Sequence, residues 1–347
     1  MKFGVFLPIA NNGWIVSTAS PQYMPSFDLN KRITVLAEQH GFDLAFTMVK
    51  LRGFGGETEH WDHALESFTL TAALAEATSR IELYASVAVL TLHPAIVARM
   101  AATIDDISGG RFGLNIVSGW NKNEYGQMGI WPSDEHFSTR YEYSSEYVHV
   151  LRSLWDQGRA THHGTYFDLD DCLCQPTPGR RIPVVCAGQS ERGMRFAAEL
   201  GDYNFIIGDV ERAGELDRAV KGFAAEYGRT VGTYALYTVI ARPTDDEATE
   251  LAEHYMKHAD VGALQGFLGA SAPDPTGTTL RAETFMGIPT IIGSYQSVAA
   301  YIDKLAADTG VDGILLTVPD FIGDIAAFGE EVMPLLHCRD AVGAPEQ

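Results

Sequence analysis

Residues 81–117 read IELYASVAVLTLHPAIVARMAATIDDISGGRFGLNIV. The first nine, Ile81–Val89, are apolar along nearly their whole length, which suits a strand covered on both faces. Residues 95–107 then carry a helical pattern, and residues 112–117 form a second short apolar run. Strand, helix and strand in that order make one unit of a parallel sheet. Working outward, the same alternation predicts strands at 2–8, 43–49, 182–187, 203–207, 234–241 and 312–318. It predicts helices at 28–40, 64–79, 137–156, 191–200, 211–227, 244–258 and 321–336. Eight units favour closure into an α/β (β/α)₈ TIM barrel over an open sheet, and residues 1–347 are expected to form a single barrel domain with insertions.

Three stretches break the rhythm. Residues 118–136 form a long aromatic connection after the fourth strand, and 259–290 a Gly- and Pro-rich one after the seventh helix. Connections of that length are expected to be lids or oligomer contacts. Residues 158–181 read as a surface hairpin.

Composition narrows the function classes. The chain carries 45 acidic against 25 basic residues, a net charge of -20. Such a surface repels phosphate backbones and anionic lipid, so neither nucleic acid nor membrane is expected as a partner. A phosphate-bearing cofactor would need local help from helix N-termini and a few basic groups. The four cysteines do not form a disulfide framework, and no stretch approaches a membrane span, so a cytoplasmic enzyme is expected. The scattered histidines offer no metal-ligand spacing, and no metal site is expected. Neither a G-x-G-x-x-G after a strand nor a Walker loop, H-E-x-x-H or G-x-S-x-G is present.

A barrel builds its active site at the C-terminal ends of its strands. The polar candidates there are Lys50, Ser86, Asn115, Ser118, Ser190 and Asn204. Asn115 stands in the otherwise apolar run 112–117, where a buried amide needs a partner, from loop backbone or from a ligand. Lys50 follows an apolar strand end and could form an ion pair with Glu57 or Glu59. Ser190, in Ala187-Gly188-Gln189-Ser190, opens a helix; it reads as an N-cap, and the same geometry binds anions. Arg140 lies near the start of a helix, where an exposed arginine is the plain reading. His60 and His63 are the best acid–base candidates. The residues alone lead to a barrel enzyme with an anionic cofactor.

Several segments add a resemblance. Met100-Ala101-Ala102-Thr103-Ile104-Asp105-Asp106-Ile107-Ser108-Gly109-Gly110-Arg111-Phe112-Gly113 resembles the segment shared by bacterial-luciferase-like flavin barrels. Asn11-Asn12-Gly13-Trp14, Pro21–Pro25, Lys50–Gly56, Gln127–Pro132 and Cys186–Ser190 together look like the pyrimidine monooxygenases of the Rut uracil-degradation pathway. The similarity runs over nearly the whole chain and is weakest at 259–290.

The resemblance implies an FMN-dependent monooxygenase that receives reduced FMN from a separate flavin reductase and uses O₂. It would break the N3–C4 bond of uracil or thymine to give a ureidoacrylate. Carried over by position, the FMN contacts would be Val49, Lys50, Asn115, Glu124, Arg140, Tyr141 and Ser190. Oxygen activation would fall to Ser86, Asn115, Trp120 and Phe205. The chain departs from the family at Ser86, where Thr is usual, and around Glu283–Pro289. The alternatives are the same chemistry on another heterocycle or a sulfur or halogenated compound, and a deazaflavin-dependent oxidoreductase. A homo-oligomer is expected.

Overall fold

A computed structural model describes residues 1–271 and 285–339. In chain order the elements are β1 (Lys2–Phe6), α1 (Phe27–Gln39), β2 (Leu44–Phe46), α2 (Ser67–Ala77), β3 (Glu82–Ala88), α3 (Pro94–Ile107), β4 (Phe112–Val117), α4 (Lys122–Gly126) and α5 (His136–Gln157). A hairpin of β5 (Arg159–His163) and β6 (Asp168–Leu173) follows, then β7 (Val184–Ala187), α6 (Glu191–Leu200), β8 (Tyr203–Ile206), α7 (Val210–Glu226) and β9 (Gly232–Arg242). The chain continues through α8 (Asp245–Lys257), α9 (Val261–Ser271), β10 (Thr290–Ser294), α10 (Tyr295–Thr309), β11 (Gly313–Thr317) and α11 (Gly323–Ala327).

The eight strands β1, β2, β3, β4, β7, β8, β9 and β11 pair in parallel around a ring, and β11 returns to β1 with Lys2 opposite Gly313. The expected closed barrel is present. Period-two alternation divides each strand between two cores. Leu83, Ala85 and Val87 of β3 and Phe112, Leu114 and Ile116 of β4 pack outward against helices. Tyr84 packs inward with Phe6, Phe46 and Tyr234. The same alternation turns Ser86 and Asn115 inward, and the register sets them opposite each other. Gly113 makes room for this interior: a Cβ there would lie 2.2 Å from the Tyr84 ring.

Two expectations are corrected at the C-terminal end. Residues 290–309 hold a strand and a helix that the alternation did not assign. β9 is eleven residues long, and its outer half, Thr238–Arg242, pairs with β10. Ser294 caps the following helix by accepting from the Ser297 N–H at 3.1 Å, and Gly310 ends it at φ 77°. The expected helix 321–336 is also broken. After α11 the chain widens into a π turn at Phe328–Val332 and then tightens into a 3₁₀ turn at Met333–Leu335, where Pro334 supplies no N–H. The hairpin expected within 158–181 forms as β5 and β6. Of the expected insertion 259–290, residues 272–284 lie outside the described residues. Among the described residues, no helix is long and apolar enough to cross a membrane.

Candidate active site

A cavity of about 250 Å³ opens at the C-terminal ends of the barrel strands. Its walls include Val49, Lys50, Ser86, Asn115, Trp120, Glu124, Arg140, Tyr141 and Phe205. Nine of the ten residues that the resemblance assigns to the cofactor and oxygen sites are thereby brought together. Ser190 is the tenth: it lies just past Gly188 and Gln189 of the wall, and its hydroxyl accepts from the Gly193 N–H at 3.2 Å. It serves as the helix cap of α6.

At the floor, hydrogen bonding joins three strands. The Asn115 side-chain N–H donates to Ser86 Oγ at 2.8 Å, and the Ser86 hydroxyl donates to the Thr47 carbonyl. The Ser86 N–H donates to Ser67 Oγ at 2.8 Å, and Ser67 and Thr47 share a hydroxyl–hydroxyl bond of 2.6 Å. Thr47 also donates to the Tyr84 carbonyl at 3.0 Å. The Ser86 hydroxyl proton is therefore committed to the Thr47 carbonyl, just past β2. Asn115 Oδ1 is buried and has no partner among the described residues. An unmet acceptor of this kind calls for a ligand or a water.

Lys50 and Glu124 form a buried ion pair in the wall, with side chains 5% and 7% exposed. Neither Glu57 nor Glu59, the expected partners of Lys50, takes part. The short helix α4 turns Glu124 back into the cavity. Its carboxylate also accepts from Asn121 at 3.1 Å and from the Leu51 N–H at 3.3 Å. The ammonium lies 4.2 Å from the Phe54 ring centroid and 5.7 Å from that of Trp120. Burial lowers the Lys50 pKa, and the Glu124 charge opposes that shift. The pair places two charges in an apolar cavity with no net charge between them.

A further part of the wall is built by α5 and the β7–α6 turn. Arg140 stacks on Phe137 and Tyr141, its guanidinium carbon 4.0 Å and 4.6 Å from their ring centroids. It donates to the Phe137 carbonyl and, at 3.4 Å, to the Tyr141 hydroxyl. Among the described residues it forms no ion pair. Gly188 and Gly193 meet so closely that a Cβ on Gly188 would lie 2.7 Å from the Gly193 Cα. Asn204, buried in β8, holds this turn by donating to the Gly188 carbonyl at 3.1 Å. A cation with no acid partner beside a helix N-terminus is a setting for an anion.

The walls between are aromatic. Phe205 stacks on Phe46 with centroids 5.9 Å apart, and Trp14 meets Trp61 edge-on at 4.6 Å. Trp14 and Trp61, like Thr47 and Ser67 of the floor, were not among the expected site residues. Trp14 was visible only as part of a family motif, and Thr47 sits inside the strand-end run Phe46–Val49. The acid–base expectation for His60 and His63 is corrected. Burial lowers the His60 pKa to about 3, so the ring is neutral at ordinary pH, and Asp260 only partly opposes this. His63 is exposed and pairs with Glu59 at 3.1 Å. Among the described residues no three His, Cys, Asp or Glu side chains gather as a metal site.

Residues 1–313 match the luciferase-like monooxygenase family. The pyrimidine monooxygenase RutA of Cronobacter turicensis is 52% identical, over 98% of this chain and 93% of its own length. That of Klebsiella pneumoniae is 50% identical, over 99% of this chain and 98% of its own. Among solved structures, the long-chain alkane monooxygenase LadA superposes with a TM-score of 0.81 at 21% identity, covering 96% of this chain and 90% of that one. Riboflavin lyase RcaE, with modified FMN and riboflavin, reaches 0.79 at 21% identity, covering 96% and 91%. At that identity the two structures speak for the shared fold. The chain belongs to the luciferase-like monooxygenase family and is a flavin-dependent monooxygenase.

Proposed function

We propose that this chain opens the ring of a pyrimidine, uracil or thymine, at the N3–C4 bond to give a ureidoacrylate. Its cofactor in this reading is FMN, delivered reduced by a separate flavin reductase, and O₂ is the co-substrate. The observation that carries the reading is a pair of unmet polar demands in one aromatic cavity. Arg140 has no ion-pair partner among the described residues, and Asn115 Oδ1 has no donor. A flavin mononucleotide answers both, with an anionic phosphate at one end and ring N–H groups at the other. The names of the relatives, half identical over nearly the whole chain, support the pyrimidine.

Each residue then has a task. Arg140, Tyr141 and the first turn of α6 hold the phosphate, with Gly188 and Gly193 permitting the approach. Val49 and Lys50 border the cofactor, and Glu124, its charge balanced by Lys50, accepts from ribityl hydroxyls away from the phosphate. Asn115 meets the ring edge. Trp120 and Phe205 keep bulk water from the reacting centre, so the fixed dipoles act in a low dielectric. When bound and reduced, FMN supplies with O₂ the oxygenating chemistry that no side chain here can provide. The two long connections support a homo-oligomer, which light scattering reads directly.

The test is an oxygen-dependent turnover screen with reduced FMN and uracil, thymine, unrelated heterocycles, sulfones and halogenated aromatics, followed by mass spectrometry. Ring-opened product from uracil or thymine is expected. Turnover of only another class would reassign the substrate, and turnover with reduced deazaflavin but not FMN would reassign the cofactor.

A further inference from the structure

The floor network has a direction, and its protons can be counted. A carbonyl only accepts, so the bond between Ser86 Oγ and the Thr47 carbonyl consumes the single Ser86 proton. The neighbouring hydroxyls have none to lend. Thr47 Oγ1 bonds to the Tyr84 carbonyl and to Ser67 Oγ, and Ser67 Oγ accepts from the Ser86 N–H, so both are engaged away from Ser86 Oγ. Ser86 Oγ therefore faces Asn115 as an acceptor only. The amide must meet it with an N–H, at 2.8 Å, since the reverse orientation would set two acceptors against each other. That leaves Oδ1, an acceptor, as the unsatisfied atom of a residue that borders the cavity.

We propose that Ser86 is a positioning residue that fixes the polarity of the Asn115 amide, and that the acceptor so presented makes the site prefer reduced over oxidised flavin. This rests on the reading of the cavity as a flavin site. Reduction of the isoalloxazine ring replaces a ring-nitrogen lone pair with an N–H. An amide oxygen held against the ring edge gains a hydrogen bond with the reduced form and meets a lone pair in the oxidised one. An enzyme loaded by diffusing reduced flavin benefits, because spent cofactor is released in preference to fresh. Ser86→Thr keeps the hydroxyl and the polarity. Ser86→Ala removes the acceptor and leaves the amide free to turn.

The experiment is fluorescence titration of wild type, Ser86→Ala and Ser86→Thr with oxidised FMN in air and with chemically reduced FMN under anaerobic conditions, alongside thermal unfolding. Wild type and Ser86→Thr are expected to bind reduced FMN about tenfold more tightly, as one hydrogen bond allows. For a two-electron couple that is a rise of about 30 mV in the bound potential. Ser86→Ala is expected to bring the ratio of the two affinities close to one. A purely structural role would lower the melting temperature or both affinities together and leave the ratio unchanged, which would overturn the proposal. Equal binding of both forms by wild type would also overturn it while leaving the flavin reading intact. Failure of wild type to bind either form would overturn both.

Discussion

Arg111 and Arg140 stand at opposite ends of the same barrel, and they differ in what their guanidinium groups lack. Arg111, at the start of β4, has all five of its N–H donors placed. Nε donates to the Ser108 carbonyl at 2.7 Å, Nη1 to Ile81 O and Thr78 Oγ1, and Nη2 to Ala75 O and Thr78 O, all within 3.0 Å. It ties the end of α2 to the sheet and has nothing left for a ligand. Arg140, at the cavity, donates among the described residues to the Phe137 carbonyl and the Tyr141 hydroxyl of its own helix. Asp202 at the N-terminal end is similarly filled, accepting from Arg152 at 2.6 Å, Arg181 at 3.1 Å and the Val184 N–H at 2.8 Å. Asn115 at the C-terminal end keeps an empty acceptor. Of these four residues, the two that are saturated hold the fold, and the two that keep free capacity line the cavity.

Substitutions at these four residues test that contrast. Arg111→Ala is expected to cost roughly 4 kcal/mol of stability, because several charge-assisted bonds of ~1.5–3 kcal/mol each are lost together and do not add fully. Denaturant unfolding checks this, and the affinity of the remaining folded protein for reduced FMN should be unchanged. Asn115→Ala should leave the melting temperature nearly intact and slow product formation by ~10²–10³, the usual effect of removing one preorganised group. Wild-type turnover in that variant would remove Asn115 from the site. Arg140→Ala should weaken FMN binding by ~1.5–3 kcal/mol without a stability cost of similar size. A loss of stability with intact FMN affinity would place Arg140 in the class of Arg111.

The smallest effect concerns acid. Burial of Asp202 favours its neutral form, but Arg152, the Val184 N–H and Arg181 together outweigh burial and hold its carboxyl below the ordinary range. A carboxylate with a depressed folded pKa stabilises above its unfolded pKa, near ~3.9, and that stability fades as pH falls through the folded value. Asp202→Asn should therefore flatten the acid limb of the stability curve below about pH 4. A variant that loses stability at pH 3 as steeply as wild type would assign the acid sensitivity elsewhere.

The two ends also differ in how far they could be read from residues alone. The barrel was legible because apolar strands such as Ile81–Val89 alternate with helices at regular intervals. Asn115 was legible because an amide inside the run 112–117 demands a partner. The Lys50–Glu124 pair was not, since its members lie 74 residues apart and only the fold of α4 brings them together. The proton count at Ser86 was equally hidden, because it depends on Thr47 and Ser67 from two other segments. β10 and α10 were missed although Ser294 and Gly310 mark the helix ends. β10 adds to the outer half of β9 beyond the ring of eight, a place that the strand–helix rhythm does not anticipate.

In the proposed function, this cavity brings reduced FMN, O₂ and a pyrimidine together. A single-turnover experiment tests it most directly. Enzyme, reduced FMN and uracil are combined without oxygen and then exposed to isotopically labelled O₂, with product mass read by spectrometry. Wild type is expected to give a ring-opened product that carries label from O₂, strongly reduced in Asn115→Ala. Reoxidation of the flavin with uracil recovered unchanged, or a ring-opened product without label, would contradict it.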